Sequence, residues 1–408
     1  LGDYHQNGNV ATLHRFGTLD PADLERELNH YAQTRKISLI LPSLYSELEA
    51  QALSDILDEL STATFVNQII IGLDRADEDQ YRYAKEYFSR LPQDHVVLWN
   101  DGPRLKAIDS RLGEMDLAPS EPGKGRNVWY CIGYALSAKN CDVIAIHDCD
   151  IVTYSKEMLA RLVYPVTNAR FPYQFCKGYY PRIADRKMNG RVTRLLVTPL
   201  LLALKKVIGQ NAYVDYLKSF RYPLAGEFAM RTAILPEIRI PSDWGLEIGV
   251  LSEVYRNLSA NAVCQVDIAD AYDHKHQPLS EDDATQGLSR MSTDICKAIY
   301  RKLAIDGVIF SPEIFRTLKA TYYRIALDLI EVYYNDGLIN GLHVDRHVEE
   351  RSVELFAANI VEAGQVFLQN PMEAPFIPNW SRVQAADSDL MRELFDAVKA
   401  DNEEFAAG

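Results

Sequence analysis

An α/β protein with a mostly parallel sheet, extended by a helical C-terminal region, is what these 408 residues predict, and three observations carry that reading. From residue 37 onward short β-rich runs alternate with amphipathic helical stretches, the pattern of parallel strands joined by crossover helices. Beyond about residue 285 the apolar period is almost entirely helical. The length also exceeds the roughly 250 residues that one hydrophobic core usually serves, so a main domain with a smaller addition is expected.

In chain order, the first 19 residues are polar and without period, and read as a tail or arm. Asp20-Pro21 supplies an N-cap and a first-turn proline for a helix to about Arg35. Strands are predicted at 37–41, 66–71, 95–99 and 142–147, with helices near 46–60, 77–91 and 125–138 between them. Further strands are expected at 173–177 and 262–267, separated by a helix-rich insertion. Ser311-Pro312 opens one of four C-terminal helices, near 288–306, 312–335, 345–368 and 385–399, and Pro371, Pro375 and Pro378 mark a loop before the last.

The composition, 47% hydrophobic and 25% charged, is that of a globular chain and excludes wholesale disorder or a fibre. A net charge of -14 argues against a nucleic-acid partner, since binding a phosphate backbone needs clustered Lys and Arg. Small anionic substrates require a local basic pocket instead. The six cysteines are scattered without a Cys-x-x-Cys pair, which predicts reduced thiols and no disulfides. The most apolar stretch, 195–204, is about half a membrane span and contains Pro199, so no span is expected. The start, Leu1-Gly2-Asp3-Tyr4-His5, shows neither an initiator Met nor an apolar signal region, and a cytoplasmic protein is expected.

Several clusters carry chemistry. The apolar strand before His147 ends in Asp148-Cys149-Asp150, two carboxylates where α/β sheets place their ligands, suited to a hard cation such as Mg²⁺ or Mn²⁺ on a diphosphate. A solvated strand end that caps the next helix reads the same way. Pro122-Gly123-Lys124-Gly125 sets a cation beside a helix start, either an anion seat or an ordinary loop, and it does not match a Walker A motif. Asp273-His274-Lys275-His276 follows the last strand and offers an imidazole to a metal, or is polar surface. Gly190-Arg191-Val192-Thr193-Arg194 puts guanidinium and hydroxyl donors at the start of the apolar helix, for a phosphate or carboxylate or simply for water. Glu247, in Trp244-Gly245-Leu246-Glu247, is a buried acid or a first-turn Glu favoured by the helix dipole. His343 and His347 imitate a zinc pair but lack its Glu, and read as a solvated helix face.

Taken in order, these segments resemble the glucosyl-3-phosphoglycerate synthases, retaining glycosyltransferases of GT-A fold. The matching residues, within about 37–305, are Leu41-Pro42-Ser43-Leu44 with Glu47, Pro122-Gly123-Lys124-Gly125, Asp148-Cys149-Asp150, Gly190-Arg191-Val192-Thr193 with Pro199-Leu200-Leu201, Pro223-Leu224-Ala225-Gly226-Glu227, Gly245-Leu246-Glu247-Ile248-Gly249, and His274 followed by Pro278-Leu279. The likeness implies that Pro42, Ser43, Leu44 and Glu47 cradle the nucleotide, with Asp74, Lys124 and Asp148 also on the nucleotide-sugar side. Asp150 and His274 would hold the divalent metal, Mg²⁺ or Mn²⁺. Gly190, Arg191 and Thr193 would seat the acceptor's phosphate, Glu247 would face sugar or acceptor hydroxyls, and the Leu224 carbonyl would lie near the reacting anomeric carbon. The chain departs from the pattern at Ile71-Gly72-Leu73-Asp74-Arg75-Ala76-Asp77, which together with Ser242-Asp243-Trp244-Gly245 is more similar to mannosylglycerate synthase, a relative using a GDP-sugar and glycerate. Tyr272 also stands where the family has Arg, and Ala225 where glycine is usual.

The resemblance therefore implies a metal-dependent transfer of glucose from UDP- or GDP-glucose to 3-phosphoglycerate by a cytoplasmic homodimer. The expected divisions are an arm and helix at 1–36, a catalytic domain at 37–285 with nucleotide-sugar (37–150) and acceptor (151–285) halves, and a helical region at 286–408. A glucosyl- or mannosyltransferase acting on glycerate is the rival enzyme, and a nucleotide-sugar-binding regulator without turnover is the non-enzymatic alternative. A dinucleotide oxidoreductase is disfavoured, since no Gly-x-Gly-x-x-Gly follows the first strand.

Overall fold

The structure, a computed structural model, describes residue 6 and residues 8–119, 121–242, 245–274, 287–371 and 376–405. Its strands are β1 (Ala11–Leu13), β2 (Ile37–Leu44), β3 (Gln68–Asp74), β4 (Asp94–Trp99), β5 (Val143–Ile146), β6 (Phe175–Tyr179), β7 (Ile183–Ala184), β8 (Lys187–Met188), β9 (Phe228–Arg231), β10 (Ile240–Pro241), β11 (Val263–Asp267) and β12 (Phe376–Ile377). Its helices are α1 (Pro21–Ala32), α2 (Gln51–Ser61), α3 (Glu78–Phe88), α4 (Pro103–Glu114), α5 (Lys124–Ala138), α6 (Lys156–Thr167), α7 (Thr198–Ile208), α8 (Ala212–Ser219), α9 (Leu246–Asn257), α10 (Gly287–Ile305), α11 (Pro312–Ile339), α12 (Arg346–Gln369), α13 (Trp380–Ala386) and α14 (Leu390–Glu404).

Eight strands form the main sheet in the order β1-β11-β6-β9-β5-β2-β3-β4. All pairings are parallel except those of β9 with β5 and β6, so β9 alone runs against the others. Strand side chains alternate between two buried clusters. Ile40, Ile70 and Ile144 enter one with α5 and α7, while Leu39, Ile71 and Ala145 enter the other with α2, α3 and α6. Burial on both faces explains why these strands are continuous apolar runs.

Local signals account for the helix starts. The Asp20 side chain accepts from the Ala22 N–H ahead of Pro21, and Asp77 forms a capping box with Gln80. Ser311 and Asp345 accept from the N–H groups of Ile314 and Val348 at the starts of α11 and α12.

The arm departs from its expected role. Residues 11–13 add β1 to the sheet, in register with Cys264, Gln265 and Val266, a pairing across the whole chain that no local pattern announces. Strand β9 and helix α4 are also additions to the sequence reading. The apolar helix expected from 195 begins as a wide π-helical turn at Val192–Val197 and becomes α-helical at Thr198. His343 lies before α12, where its N–H donates to the Arg186 carbonyl at 2.7 Å, so His343 and His347 do not share a helix face.

The C-terminal helices share the apolar cluster of the sheet face, with Ile299, Tyr322 and Phe356 in the same cluster as Leu200 and Trp129. Trp380 of α13 stacks on Trp129 at 4.0 Å, and the Trp129 indole donates to the Pro378 carbonyl at 2.8 Å. Helix α14 lies along the outer edge strand β4. There the Asn402 side chain accepts from the Val97 N–H at 3.1 Å and donates to the Val97 carbonyl at 2.8 Å, as a neighbouring strand would.

Candidate active site

The carboxyl ends of β2, β3 and β5 open on one side of the sheet, where Glu47, Lys124, Asp148, Asp150, Glu247 and His274 come together. Asp150 follows β5 and His274 follows β11, far apart in sequence. An isolated antiparallel bridge between Ile151 and His274, and the Val152 N–H donating to the Asp273 carbonyl at 2.9 Å, fasten the two segments together. Asp150 Oδ2 and His274 Nδ1 consequently stand 3.5 Å apart. A carboxylate and an imidazole converging on one point form a donor set that fits a divalent cation, with its other positions left to diphosphate oxygens and water. Among the described residues no group of three or more His, Cys, Asp or Glu side chains forms a closed metal cage.

Lys124 is the first residue of α5, and its Nζ lies 2.5 Å from Asp148 Oδ1 and 3.5 Å from Glu247 Oε1. Burial opposes ionisation of the Lys124 ammonium and of the Asp148 carboxyl, but their mutual attraction outweighs it, raising the lysine pKa and lowering that of Asp148. Glu247 is therefore both a first-turn residue of α9 and a partner in a charged cluster. Two glycines let these elements close up. A Cβ on Gly226 would sit 2.6 Å from Asp148 Oδ2 and 3.2 Å from Lys124 Nζ, and one on Gly125 would lie 2.0 Å from the Pro241 carbonyl.

On the nucleotide side, Pro42, Ser43 and Leu44 end β2. Glu47 folds back so that Oε2 accepts from the Leu44 N–H at 3.1 Å and the Ser43 hydroxyl at 3.3 Å. Burial, aided by the negative charges of Asp150 and Asp148, pushes the Glu47 carboxyl up to about 7. A raised carboxyl stays protonated in the folded protein where the unfolded chain has already ionised, so stability falls as pH rises from the ordinary 4.5 towards about 7. In metal-free, nucleotide-free protein, Glu47→Gln is expected to raise Tm at pH 8 and to leave it unchanged near pH 4.5; an equal effect at both would remove this account. Asp74 ends β3, is 8% exposed and accepts from the Asn100 side chain at 2.8 Å; burial raises its carboxyl pKa.

On the acceptor side, Gly190 has φ +73 and turns the chain into the π-helical turn. Arg194 pairs with both carboxylate oxygens of Glu349 on α12, at 2.8 and 3.2 Å, and Tyr322 of α11 donates to the Leu195 carbonyl at 2.6 Å. The helical region thus anchors the turn that carries Arg191 and Thr193. Arg191 is left half-exposed, 3.5 Å from Glu349, while the Thr193 hydroxyl is buried with no hydrogen-bond partner.

Behind this rim lies a network that sequence reasoning did not assign. Glu227 is fully buried and accepts from the hydroxyls of Tyr180 at 2.5 Å and Tyr272 at 2.7 Å, whose rings stack at 3.8 Å. Burial raises the Glu227 pKa despite those two donors. Lys177, buried in β6, donates to the Ala225 carbonyl at 2.5 Å and so holds the loop bearing Leu224; burial pushes its pKa down to about 8. A lysine inside the apolar run Phe175-Cys176-Lys177 was the one available signal. Lys275, His276, Asp243, Trp244, Pro278 and Leu279, singled out in the sequence, lie outside the described residues.

A parallel sheet with one reversed strand, an Asp-x-Asp at the end of its central strand and a histidine brought to meet it define a GT-A glycosyltransferase. No protein-family model matches the chain. It is 43% identical over 402 residues, 98% of this chain and 99% of the relative, to the glucosyl-3-phosphoglycerate synthase of Persephonella marina. It is 39% identical over 409 residues, 99% of each, to that of Methanococcoides burtonii. The chain belongs to the glucosyl-3-phosphoglycerate synthase family. Among solved structures it is similar to the Mycobacterium tuberculosis glucosyl-3-phosphoglycerate synthase in complex with Mn²⁺, UDP and glucosyl-3-phosphoglycerate, with a TM-score of 0.52, 23% identity and 74% and 90% of the two chains covered. It is likewise similar to the mannosyl-3-phosphoglycerate synthase of Rubrobacter xylanophilus, at TM-score 0.54 and 21% identity, covering 74% and 83%. At those identities the structural likeness is one of fold.

Proposed function

We propose that the chain transfers glucose from a nucleoside-diphosphate glucose to the 2-hydroxyl of 3-phosphoglycerate, with retention of anomeric configuration. The observation that carries a phosphorylated acceptor is the turn at Gly190, where an unpartnered buried hydroxyl of Thr193 stands two residues from the half-exposed Arg191. Among related enzymes, the M. tuberculosis complex contains UDP, which favours UDP-glucose as the donor.

A divalent ion, Mg²⁺ or Mn²⁺, seated at Asp150 and His274 would neutralise the charge that grows on the departing diphosphate. Lys124 adds a fixed positive charge beside Asp148 on the donor side. Lys177 holds the Leu224 loop through Ala225, which supports a role for the Leu224 carbonyl near the anomeric carbon. No nucleophile and acid pair is required, because the acceptor hydroxyl attacks from the leaving-group face and its proton passes to the departing phosphate. Glu247 orients a sugar or acceptor hydroxyl while Lys124 balances its charge.

Incubation with UDP- and GDP-sugars, each with 3-phosphoglycerate or with glycerate, tests the reading directly. Proton NMR of fresh product from an α-linked donor is expected to show an α-linked sugar; a β-linkage would mean inversion and make Glu247 the first candidate base. Arg191→Ala is expected to weaken 3-phosphoglycerate by about ten- to a hundredfold and to leave donor affinity unchanged, since charge-assisted hydrogen bonds contribute roughly 1.5–3 kcal/mol each. Equal use of glycerate by the wild type would favour the glycerate-acceptor reading suggested by the departure at Ile71 to Asp77. Among the described residues no helix is long and apolar enough to cross a membrane. A cytoplasmic location agrees with six free cysteines, and a homodimer, measurable by light scattering, belongs to the same proposal.

A further inference from the structure

The acceptor named above carries an anion at each end, and the proposed phosphate seat answers only one of them. Its carboxylate sits on the carbon next to the attacking 2-hydroxyl, so it must enter the site close to the Leu224 loop and the metal pair. Taking a carboxylate out of water calls for a cation or several strong donors.

Arg182 lies where that cation is needed. Its Nη1 donates to the Tyr222 hydroxyl at 3.2 Å, two residues before Leu224. Its guanidinium carbon stands 5.6 Å from the ring centroid of Tyr272, two residues before His274. Its aliphatic stem lies 3.4 Å from where a Cβ on Gly190 would be, at the opening of the acceptor turn. Three separate parts of the site therefore meet on one side chain. Its Nε is buried without a hydrogen-bond partner, and the groups that act on it most strongly are the phenols of Tyr222, Tyr180 and Tyr272. Arg194, by contrast, spends its charge on Glu349. The platform under Arg182 is fixed as well, because Tyr272 is held by its stack on Tyr180 and by its hydrogen bond to Glu227.

From this placement we infer that Arg182 binds the carboxylate of the acceptor and so makes the enzyme selective for a 2-hydroxy acid over the corresponding alcohol. The inference rests on the functional reading above and adds to it the group that recognises the acid end. A planar fork with a free Nε suits a carboxylate, and the Tyr222 hydroxyl beside it supplies a further donor.

The test compares two ligands that share a phosphate and a 2-hydroxyl, 3-phosphoglycerate and sn-glycerol 3-phosphate, the latter with an alcohol in place of the acid. Both are titrated calorimetrically into the full chain with Mg²⁺ and UDP. Wild type is expected to bind 3-phosphoglycerate at least about tenfold more tightly. Arg182→Gln should lose about ten- to a hundredfold for 3-phosphoglycerate while its affinity for glycerol 3-phosphate stays within about twofold, so that discrimination disappears. Arg182→Lys keeps the charge without the fork and should restore part of it, and Arg191→Ala should weaken both ligands together. Unchanged glycerol 3-phosphate binding also reports that the variant is folded. If Arg182→Gln weakens both ligands equally, or neither, Arg182 does not hold the carboxylate although the functional reading stands. If wild type binds neither ligand, the functional reading fails and this inference with it.

Discussion

Asp150→Ala and His274→Ala are each expected to lower kcat/KM by about a hundredfold or more, equivalent to roughly 3 kcal/mol of transition-state stabilisation. The two side chains stand 3.5 Å apart and come from segments distant in the sequence, joined by the bridge at Ile151. Either alone offers a cation one protein ligand, so removing one should weaken metal affinity as well as rate. Titration of Mn²⁺ with UDP present reads the first effect, and steady-state kinetics at saturating metal reads the second. The backbone bridge does not depend on the Asp150 side chain, so Asp150→Ala should keep the wild-type Tm. Full activity of metal-stripped wild type in EDTA would end the metal assignment.

Lys124→Met should be nearly as damaging, for a different reason. Lys124 contacts both Asp148 and Glu247, and without it two carboxylates face a donor that is itself a diphosphate. Donor affinity should therefore fall by about a hundredfold. Stability should fall too, by about 1–2 kcal/mol, less than for a fully buried pair because the Lys124 and Asp148 side chains are 33% and 27% exposed. The double variant Lys124→Met/Asp148→Asn separates the two effects: it should recover much of the lost Tm and none of the lost donor binding. Wild-type donor affinity in Lys124→Met would show that the cation serves the fold alone.

How much of this was legible in the sequence follows from the range of the interactions involved. Strands β2 to β5 are apolar runs, legible because burial on both sheet faces leaves a local trace. Strand β1 left none, since three residues of a polar arm pair with a strand some 250 residues away. Strand β9 was missed because four residues carry no period, and its reversal is set by its neighbours. In the site, Asp148, Asp150, Lys124 and His274 stood out because strand ends and glycine-flanked loops are where α/β sheets present chemistry. Tyr180 and Arg182 did not, and Glu227 and Tyr272 had no role assigned, because their meaning lies in each other and only folding brings them together.

The covering of β4 by α14 has a consequence in time. Strand β4 is complete at Trp99, while Asn402, which occupies the Val97 N–H and carbonyl, is made 305 residues after Val97. At roughly 5–20 residues per second, the ribosome needs about 15–60 s to travel that stretch. For that interval the nascent sheet presents an open edge with a strand's hydrogen-bonding pattern unspent, the kind of template on which neighbouring chains join. Yield in the cell should accordingly depend on chaperone supply and on the integrity of α14, even for variants whose finished active site is intact.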